Sequence, residues 1–337
     1  MNRALRLLFR GIATLCVTLA ALLLLTFALS SASPIDATLQ MVGDQASASS
    51  YAEQRHRLGL DAPWHRQFAR YVEALIHGDL GVSRSTGQTV GEDLRRVFPA
   101  TVELASIAML FSTAIGIAMG LASAWRPRGR LDAVVRCVSL IGNSLPIFWV
   151  GLLALLIFYA RWHWAGGPGR IDDAYEYTME MPTGLVLWDA WRSRLPGALT
   201  SALEHMVLPA LVLALYAVGN IARLTRAALL GEAGKEYVTL ARAKGCGELR
   251  IVTHHLLPNV VGVLFTTLAL TYTNLLEGAV LVETVFARPG LGRYLTTALF
   301  AADTPAIVGG TLLIGVCFVL INGATDLAVR VMDPRAS

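Results

Sequence analysis

Three groups of residues are of types that could carry out chemistry: a serine with a histidine, a glycine–lysine pair, and a cysteine with two histidines. The first group lies in Gly142-Asn143-Ser144-Leu145, where Ser144 could be the nucleophile of an intramembrane protease with His205 as its base. Such a polar cluster followed by Pro146 inside an apolar run more often allows close helix packing, a local break or a polar cavity wall. We expect the structural role.

The other two groups lack the residues that their chemistry needs. Glu236 follows Gly234-Lys235 where a phosphate-binding loop requires Ser or Thr, and no apolar strand precedes the pair. Cys246, His254 and His255 lack a fourth ligand, and adjacent histidines on a helix diverge by about 100°. The sequence therefore predicts a chain that is not an enzyme, with no metal and no cofactor of its own.

Composition places the chain in a membrane. It has 337 residues, of which 55% are hydrophobic and 15% charged, and its mean hydropathy is +0.55. Runs without charged residues are each near the roughly 20 residues that cross a bilayer as a helix. They cover 11–35, 104–125, 137–160, 205–222, 251–276 and 304–325. We therefore expect an all-α, polytopic membrane protein with six transmembrane helices, the first of them an uncleaved anchor.

Basic residues in the short connections set the expected orientation. They cluster before the first run and after the second and fourth, at Arg3, Arg6, Arg10, Arg126, Arg128, Arg130, Arg223, Arg226, Lys235, Arg242, Lys244 and Arg250. Segments 36–98 and 161–203, in which acidic residues balance or exceed basic ones, are then external. Both termini are expected in the cytoplasm of a bacterial cell. The net charge of +4 reflects this topology and does not indicate nucleic-acid binding.

Polar residues inside the runs are costly in lipid, so they are expected at helix interfaces or along a water-filled passage. Interhelical hydrogen bonding and a place on the passage both remain open for each of them. The candidates for the translocation path are Asn143, Ser144, Asn220, Asn274 and Glu277.

A polar, basic insert, residues 236–258, separates the fourth and fifth runs. Thr239-Leu240-Ala241, then Gly245, then Leu257-Pro258 resembles the cytoplasmic "EAA" loop of ATP-binding-cassette importer permeases. Ala241, Gly245, Leu257 and Pro258 match that pattern, whereas Thr239, Leu240 and His255 replace its glutamate, first alanine and isoleucine. Such relaxed loops resemble those of the peptide and nickel branch of the family.

Further segments from about residue 5 to 335 resemble, in family order, the first permease of dipeptide, oligopeptide and antimicrobial-peptide importers. They are Leu58-Gly59-Leu60-Asp61-Ala62-Pro63, Gly78-Asp79-Leu80-Gly81-Val82-Ser83, Phe98-Pro99-Ala100-Thr101-Val102-Glu103-Leu104, Ser144-Leu145-Pro146-Ile147-Phe148-Trp149, Glu283-Thr284-Val285-Phe286, Pro289-Gly290-Leu291-Gly292-Arg293 and Met332-Asp333-Pro334-Arg335. The chain then divides into an N-terminus with the first helix (1–35), a periplasmic segment (36–98) and a five-helix core (99–337) with a coupling loop at 227–258.

The resemblance implies that this loop docks two short helices on an ATPase subunit, with a sharp turn at Gly245 between them. Charged residues would set its register and Tyr237, Leu240 and Ile251 would be apolar anchors. The implied coupling residues are Tyr237, Thr239, Leu240, Ala241, Arg242, Lys244, Gly245, Glu248, Ile251, Leu257 and Pro258.

The implied partners are a homologous second permease in a heterodimer, two ATP-binding subunits that hold the ATP, and a periplasmic substrate-binding protein. An amphipathic helix with Trp64, His65, Phe68 and Tyr71 would help to receive that protein. Pro289, Gly290 and Gly292 would form a turn before a short helix at the periplasmic mouth.

Peptide is the leading cargo, with nickel or a metal–opine complex as the alternative. A self-sufficient secondary carrier is the competing class of function, but it would have no use for an ATPase-docking loop and often shows two related halves.

Overall fold

The computed structural model describes residues 3–31, 38, 47–57, 59, 61–125 and 127–332. Their regular structure is helical, and an isolated bridge joins Val82 and Thr89. The helices are α1 (Arg3–Ser31), α2 (Ala48–Arg57), α3 (Trp64–Ile76), α4 (Val90–Trp125), α5 (Arg130–Ser144), α6 (Ile147–Arg161), α7 (Asp173–Glu176), α8 (Val186–Ser193), α9 (Ala198–Ala233), α10 (Glu236–Ala243), α11 (Glu248–Val285), α12 (Leu291–Phe300) and α13 (Thr304–Met332). The expected all-α fold is confirmed.

Five of the six predicted spans each fall on one apolar helix, and the third is divided between two helices. The segments Val90–Trp125, Ala198–Ala233, Glu248–Val285 and Thr304–Thr325 are long and apolar enough to cross a membrane, and Leu15–Leu29 and Ile147–Arg161 are shorter apolar helices. Residues 32–35, the predicted end of the first span, lie outside the described part of the chain.

The third predicted span, 137–160, is not one helix. Helix α5 ends at Ser144 and α6 begins at Ile147, with Pro146 as its N-cap at φ −61° and ψ 126°. Proline disfavours helical geometry in the residue before it, so Leu145 interrupts the helix. The polar cluster at 142–146 therefore marks a break, which is one of the structural roles expected for it.

The fourth predicted span, 205–222, is the middle of a much longer helix. Helix α9 has 36 residues, which corresponds to about 54 Å, and it continues through Pro209. Residues 227–233, predicted as the start of the coupling loop, are its last two turns.

The chain forms two compact units, Met1–Ala100 with Pro289–Val319, and Thr101–Arg288 with Leu320–Ser337. In the first unit, α3 buries one face. Phe68, Tyr71, Val72 and Leu75 follow helical spacing and pack against Leu19, Leu23, Val308 and Leu312. Trp64 and His65 remain exposed on α3. The predicted amphipathic helix is present, and its residues Phe68 and Tyr71 are partly buried against the chain itself.

In the second unit, α9 is the central helix. Its buried stripe is made mostly of small residues, including Ala198, Ala202, Ala210 and Ala217, which allow neighbouring helices to approach closely. A Cβ at Gly219 would lie 2.9 Å from the Cα of Ser139 on α5, so this crossing requires glycine. A smaller core of Leu229, Val238, Ala241, Ile251, Leu256, Val260 and Leu264 lies at the C-terminal end of α9.

Candidate functional site

Residues 235–258 form an ordered helix–turn–helix segment at the end of α9. Helix α10 ends in a Schellman motif: the Gly245 N–H donates to the Arg242 carbonyl at 2.9 Å and the Cys246 N–H donates to the Ala241 carbonyl at 3.1 Å. Gly245 has a φ of +80°, the left-handed conformation that this motif requires. The sharp turn expected at Gly245 is present.

The second helix of the segment is not short. Residues from Glu248 onward run without interruption through α11 to Val285, and Ile251–Leu256 have π-helical geometry. The wider π turn lies just before Pro258, whose ring lacks an N–H and would clash with a carbonyl of a regular α-helix. The segment therefore consists of one short helix, a tight turn and the first turns of a spanning helix, and the expectation of two short helices is wrong.

Apolar contacts attach the inner face of the segment to the end of α9. Val238 and Ala241 on α10 meet Ile251 and Leu256 on α11, and Leu229 of α9 completes the cluster. Ile251 is fully buried in this cluster. Its predicted role as a surface anchor is therefore corrected, because the side chain holds α11 against α10 inside the chain.

Polar contacts add a second attachment. The Tyr237 hydroxyl donates to Glu232 Oε2 at 2.8 Å, and Asn259 Nδ2 donates to that hydroxyl at 3.3 Å and to the His255 carbonyl at 2.6 Å. The hydrogen bond from Lys235, and next that from Tyr237, lower the pKa of Glu232. Tyr237 therefore links the end of α9 to α11, and most of its polar capacity is used within the chain.

The outer surface of the segment combines charge with apolar side chains. Arg242 Nε lies 2.8 Å from Glu248 Oε1, and the hydrogen bond between them raises the pKa of Arg242 and lowers that of Glu248. Leu240 is 55% exposed and Leu249 is 68% exposed. Leu249 was not identified from the sequence, although it lies two residues before buried Ile251, a spacing that places the two side chains on different faces of an α-helix. Of the remaining predicted residues, Thr239, Lys244 and Pro258 are exposed and Leu257 is partly buried.

An apolar groove of about 480 Å³ adjoins the segment. The end of α4 supplies Leu121 and Trp125, and the start of α11 supplies Leu249, Val252 and Leu257. Leu249 thus connects this groove to the exposed turn.

A buried ion pair supports the neighbouring connection between α4 and α5. Asp132 accepts hydrogen bonds from Ser123, from Arg226 Nε at 2.7 Å and from the Arg128 N–H at 3.0 Å. The hydrogen bond from Ser123, followed by that from Arg226, lowers the pKa of Asp132 to about 2. Arg226 is one of the basic residues that the sequence analysis used only to assign orientation.

A second charged cluster holds the connection between α6 and α9. Arg170 Nη2 lies 3.2 Å from Glu103 Oε2, and Glu103 also accepts the N–H groups of Val186 at 3.1 Å and Leu187 at 2.8 Å. Glu103 thereby caps the N-terminus of α8, where backbone N–H groups lack helical partners.

Arg288 is 1% exposed and was not identified from the sequence. Its Nη1 donates to the His205 carbonyl at 3.2 Å and to the Gly169 carbonyl at 3.3 Å. Burial, and then the nearby Arg170, lower the pKa of Arg288 to about 10. An arginine beside the Pro289-Gly290 turn gave no periodic signal that could have indicated its burial.

In the described part of the chain, no hydrogen bond joins any two of the predicted path residues. Ser144, Asn274 and Glu277 are exposed, and Asn220 accepts a hydrogen bond from Arg223 Nη2 at 3.1 Å. The side chain of Asn143 lies outside the described part of the chain. Exposed polar side chains on apolar helices need water or another protein surface, which is compatible with a passage but does not test it.

The serine-protease arrangement is not formed. His205 Nδ1 lies 2.8 Å from the Ser201 carbonyl and Nε2 lies 3.8 Å from Asp172 Oδ1, so the imidazole is engaged away from Ser144. In the described part of the chain, no three His, Cys, Asp or Glu side chains are grouped as metal ligands.

The predicted turn and short helix near residue 290 are present. Gly290 is the N-cap of α12 and Gly292 is buried in its first turn, directly after Pro289. The position of these residues at a periplasmic mouth remains a prediction.

Two family models match the chain. The "Binding-protein-dependent transport system inner membrane component" matches residues 114–337, and the "Binding-prot-dependent transport system membrane comp, N-term" matches residues 4–105.

Several curated proteins are similar to the chain over nearly their whole length. The "Probable D,D-dipeptide transport system permease protein DdpB" of Escherichia coli (strain K12) is 41% identical over 95% of this chain and 94% of that protein. The "Di/tripeptide transport system permease protein DppB" of Pseudomonas aeruginosa (strain UCBPP-PA14) is 38% identical over 97% of each chain. The "Dipeptide transport system permease protein DppB" of Escherichia coli (strain K12) is 35% identical over 98% of each. The resemblance drawn from the sequence is confirmed, and the chain belongs to the family of binding-protein-dependent transport system inner membrane components.

Proposed function

We propose that this permease imports short peptides, of the dipeptide class, across the inner membrane of a bacterium. The observation that carries the proposal is the full-length similarity to three permeases that are named for dipeptide or di/tripeptide transport. The similarity covers 95% to 98% of this chain, so it extends over the connections as well as the spanning helices.

The same proposal assigns the 235–258 segment to ATPase docking. Its turn is fixed by the Schellman motif, its inner face is packed on the chain itself, and Leu240, Leu249 and the Arg242–Glu248 pair are on the outside. A rigid protrusion with an exposed apolar and charged surface is suited to transmit motion between subunits. The working complex contains a second permease as a heterodimer partner, two ATP-binding subunits and a substrate-binding protein.

The chain itself catalyses no reaction and holds no cofactor in this proposal. The nucleotide is bound by the ATP-binding subunits, and the permease contributes the passage. The exposed Ser144, Asn274 and Glu277 then face the second permease or the water-filled passage, and both termini are cytoplasmic.

The test is transport by the reconstituted complex in proteoliposomes, with the substrate-binding protein added outside and ATP inside. We expect uptake of a radiolabelled dipeptide that requires both ATP and the binding protein. Uptake of nickel with no uptake of dipeptide would replace the proposed cargo. Uptake by the chain alone, without ATP or partner subunits, would instead establish a secondary carrier.

A further inference from the structure

A pocket of about 330 Å³ lies in the connection between α7 and the end of α8. Met179, Pro182 and Leu195 form its apolar wall, and Glu180, Asp189 and Arg192 are its charged residues. All of these residues belong to the compact unit that begins at Thr101. Neither the family resemblance nor the proposed ATPase docking assigns any role to this pocket.

Asp189 is the unusual member of the lining. Its side chain is 2% exposed, and Thr183 Oγ1 donates to Asp189 Oδ1 at 2.8 Å. The other carboxylate oxygen, Oδ2, is buried and has no hydrogen-bond partner among the residues that the structure describes. A buried carboxylate oxygen without a donor is costly, so this position is suited to a donor that arrives from outside the chain.

Among the residues that the structure describes, Asp189 accepts a hydrogen bond from Thr183 and has no ion pair with a cation. Arg192 lies one turn later on α8 and is exposed. The surrounding connection is acidic on balance: residues 170–194 contain Asp172, Asp173, Glu176, Glu180 and Asp189 against Arg170, Arg192 and Arg194, and Arg170 is paired with Glu103. The local charge therefore favours a cationic group, although the whole chain carries a net charge of +4.

We propose that this pocket receives a primary ammonium group on an alkyl stem, namely a lysine side chain of a protein that docks at this connection. The ammonium group would donate to Asp189 Oδ2, with Glu180 as a second acceptor, while the methylene stem lies along Met179, Pro182 and Leu195. A metal ion is a poorer match, because no third acidic, histidine or cysteine ligand joins Asp189 and Glu180 in the described residues.

The identity of the docking protein rests on the proposed function, in which a substrate-binding protein docks on the external side of the permease. The N-terminus of a cargo peptide is also a primary ammonium group. Its ammonium lies next to a peptide group, however, and that polar group would find no hydrogen-bond partner on the apolar wall of the pocket. The lysine stem has no such groups, so the lining favours lysine.

The pocket is tested with the full chain in lipid nanodiscs and with small probes that require no transport. The two tryptophans of α8, Trp188 and Trp191, flank Asp189 in sequence, and their rings lie 5.1 Å apart. Labelling with 5-fluorotryptophan gives fluorine NMR signals, which the W188F and W191F variants assign. The probes are Nα-acetyl-lysine methylamide, its norleucine counterpart that lacks the ammonium group, dialanine, and N-acetyl-dialanine.

We expect the lysine compound alone to shift the two α8 signals in a saturable manner. Asp189→Asn should weaken the apparent affinity by about tenfold, the loss expected for one charged hydrogen bond. Glu176→Gln, an exposed acid outside the pocket, should change it less than twofold, and Arg192→Gln, which removes the positive charge from the lining, should tighten it. The remaining tryptophan signals report whether each variant is folded.

If Asp189→Asn does not fold, Glu180→Gln replaces it, and a twofold or greater weakening is expected. An equal shift with the norleucine compound, an unaltered response in Asp189→Asn, or no response in the wild type would overturn the assignment. A shift with dialanine that N-acetyl-dialanine does not produce would also overturn it, by assigning the pocket to the peptide N-terminus. Transport without a pocket response rejects only this inference, whereas a pocket response without peptide transport rejects only the proposed function.

Discussion

Arg242 and Glu248 form an ion pair across the Gly245 turn, with 2.8 Å between Nε and Oε1 and 3.3 Å between Nη2 and Oε2. The pair connects the last turn of α10 with the first turn of α11 and lies outside the small core beneath them. It therefore joins the two helices at the surface that we assign to the ATPase.

The conformation of Gly245 predicts that Gly245→Val uncouples transport. A valine at a φ of +80° is strained by about 1–3 kcal/mol, although a Cβ there would meet no atom within 4 Å. Binding-protein-stimulated ATPase activity and dipeptide uptake should fall together in the reconstituted complex, while the amount of inserted permease stays near wild type.

The matched control for this change is Gly247→Val. Gly247 lies in the same turn with open space around it, but its φ of −64° and ψ of 149° suit a β-branched residue. We expect near wild-type activity from Gly247→Val. Normal uptake and stimulated ATPase activity in Gly245→Val at equal abundance would reduce Gly245 to a tolerant surface residue.

We expect changes to the Arg242–Glu248 pair to affect coupling to the ATPase more than they affect the stability of the chain. Both side chains are about half exposed, so single neutral substitutions should change the free energy of unfolding by less than about 1 kcal/mol. Arg242→Glu should nevertheless lower stimulated ATPase activity, because it reverses a charge on the proposed docking surface.

The double exchange Arg242→Glu with Glu248→Arg separates the two roles of this pair. It re-forms an ion pair within the chain but leaves each charge in the wrong place for an ATPase. We expect stimulated activity to remain low in the exchanged protein. Full recovery would show that the pair acts only inside the chain.

Asp132 predicts a defined pH dependence. Its pKa is lowered from 3.8 to about 2 in the folded chain, so its ionised form stabilises the fold above the unfolded pKa. That contribution should be constant between pH 7 and 5 and should be lost as the pH falls from about 4 towards 2. Thermal unfolding of wild type and Asp132→Asn, measured from pH 7 to pH 3, checks the sign.

In this experiment the wild type should unfold several degrees above Asp132→Asn at pH 7, and the difference should shrink at the acidic end. Asp173→Asn, at an exposed position, is the control and should show no such difference. If the difference in unfolding temperature between wild type and Asp132→Asn became larger as the pH is lowered, ionised Asp132 would not be the form that stabilises the fold.

Among these variants, we expect substitution of Glu103 to cause the largest loss of stability. Glu103→Ala leaves Arg170 buried without its carboxylate and removes the acceptor of two N–H groups at the start of α8. Removing one partner of a buried ion pair typically costs about 3–5 kcal/mol. Thermal unfolding should show this loss, and limited proteolysis should cleave faster between residues 177 and 185. Glu176→Ala is the exposed control, and equal proteolysis of the two variants would contradict the capping role.

The membrane class, the positions of the apolar helices and the turn at Gly245 followed from the sequence alone. A long apolar run is more stable in lipid than in water, so it can be recognised as a spanning helix without knowledge of the tertiary structure. A glycine in a polar segment before a new helix is typical of a helix C-terminus. Thr89 caps the start of α4, where the Glu92 N–H donates to the Thr89 hydroxyl at 3.3 Å, and a threonine followed three residues later by a glutamate is a local signal for such a boundary.

Only the tertiary structure decided which side of each helix is buried against another. It placed Ile251 inside, packed Phe68 and Tyr71 partly against the chain and showed that Leu249 is outside, because all of these are apolar residues on helices whose neighbours the sequence does not specify. It also brought Glu103, Arg170 and Arg288 together from three distant parts of the chain and, among the described residues, gave Asp189 Oδ2 no donor. Such charges are stable only where the fold supplies counter-charges and donors, and that supply depends on contacts between residues far apart in sequence.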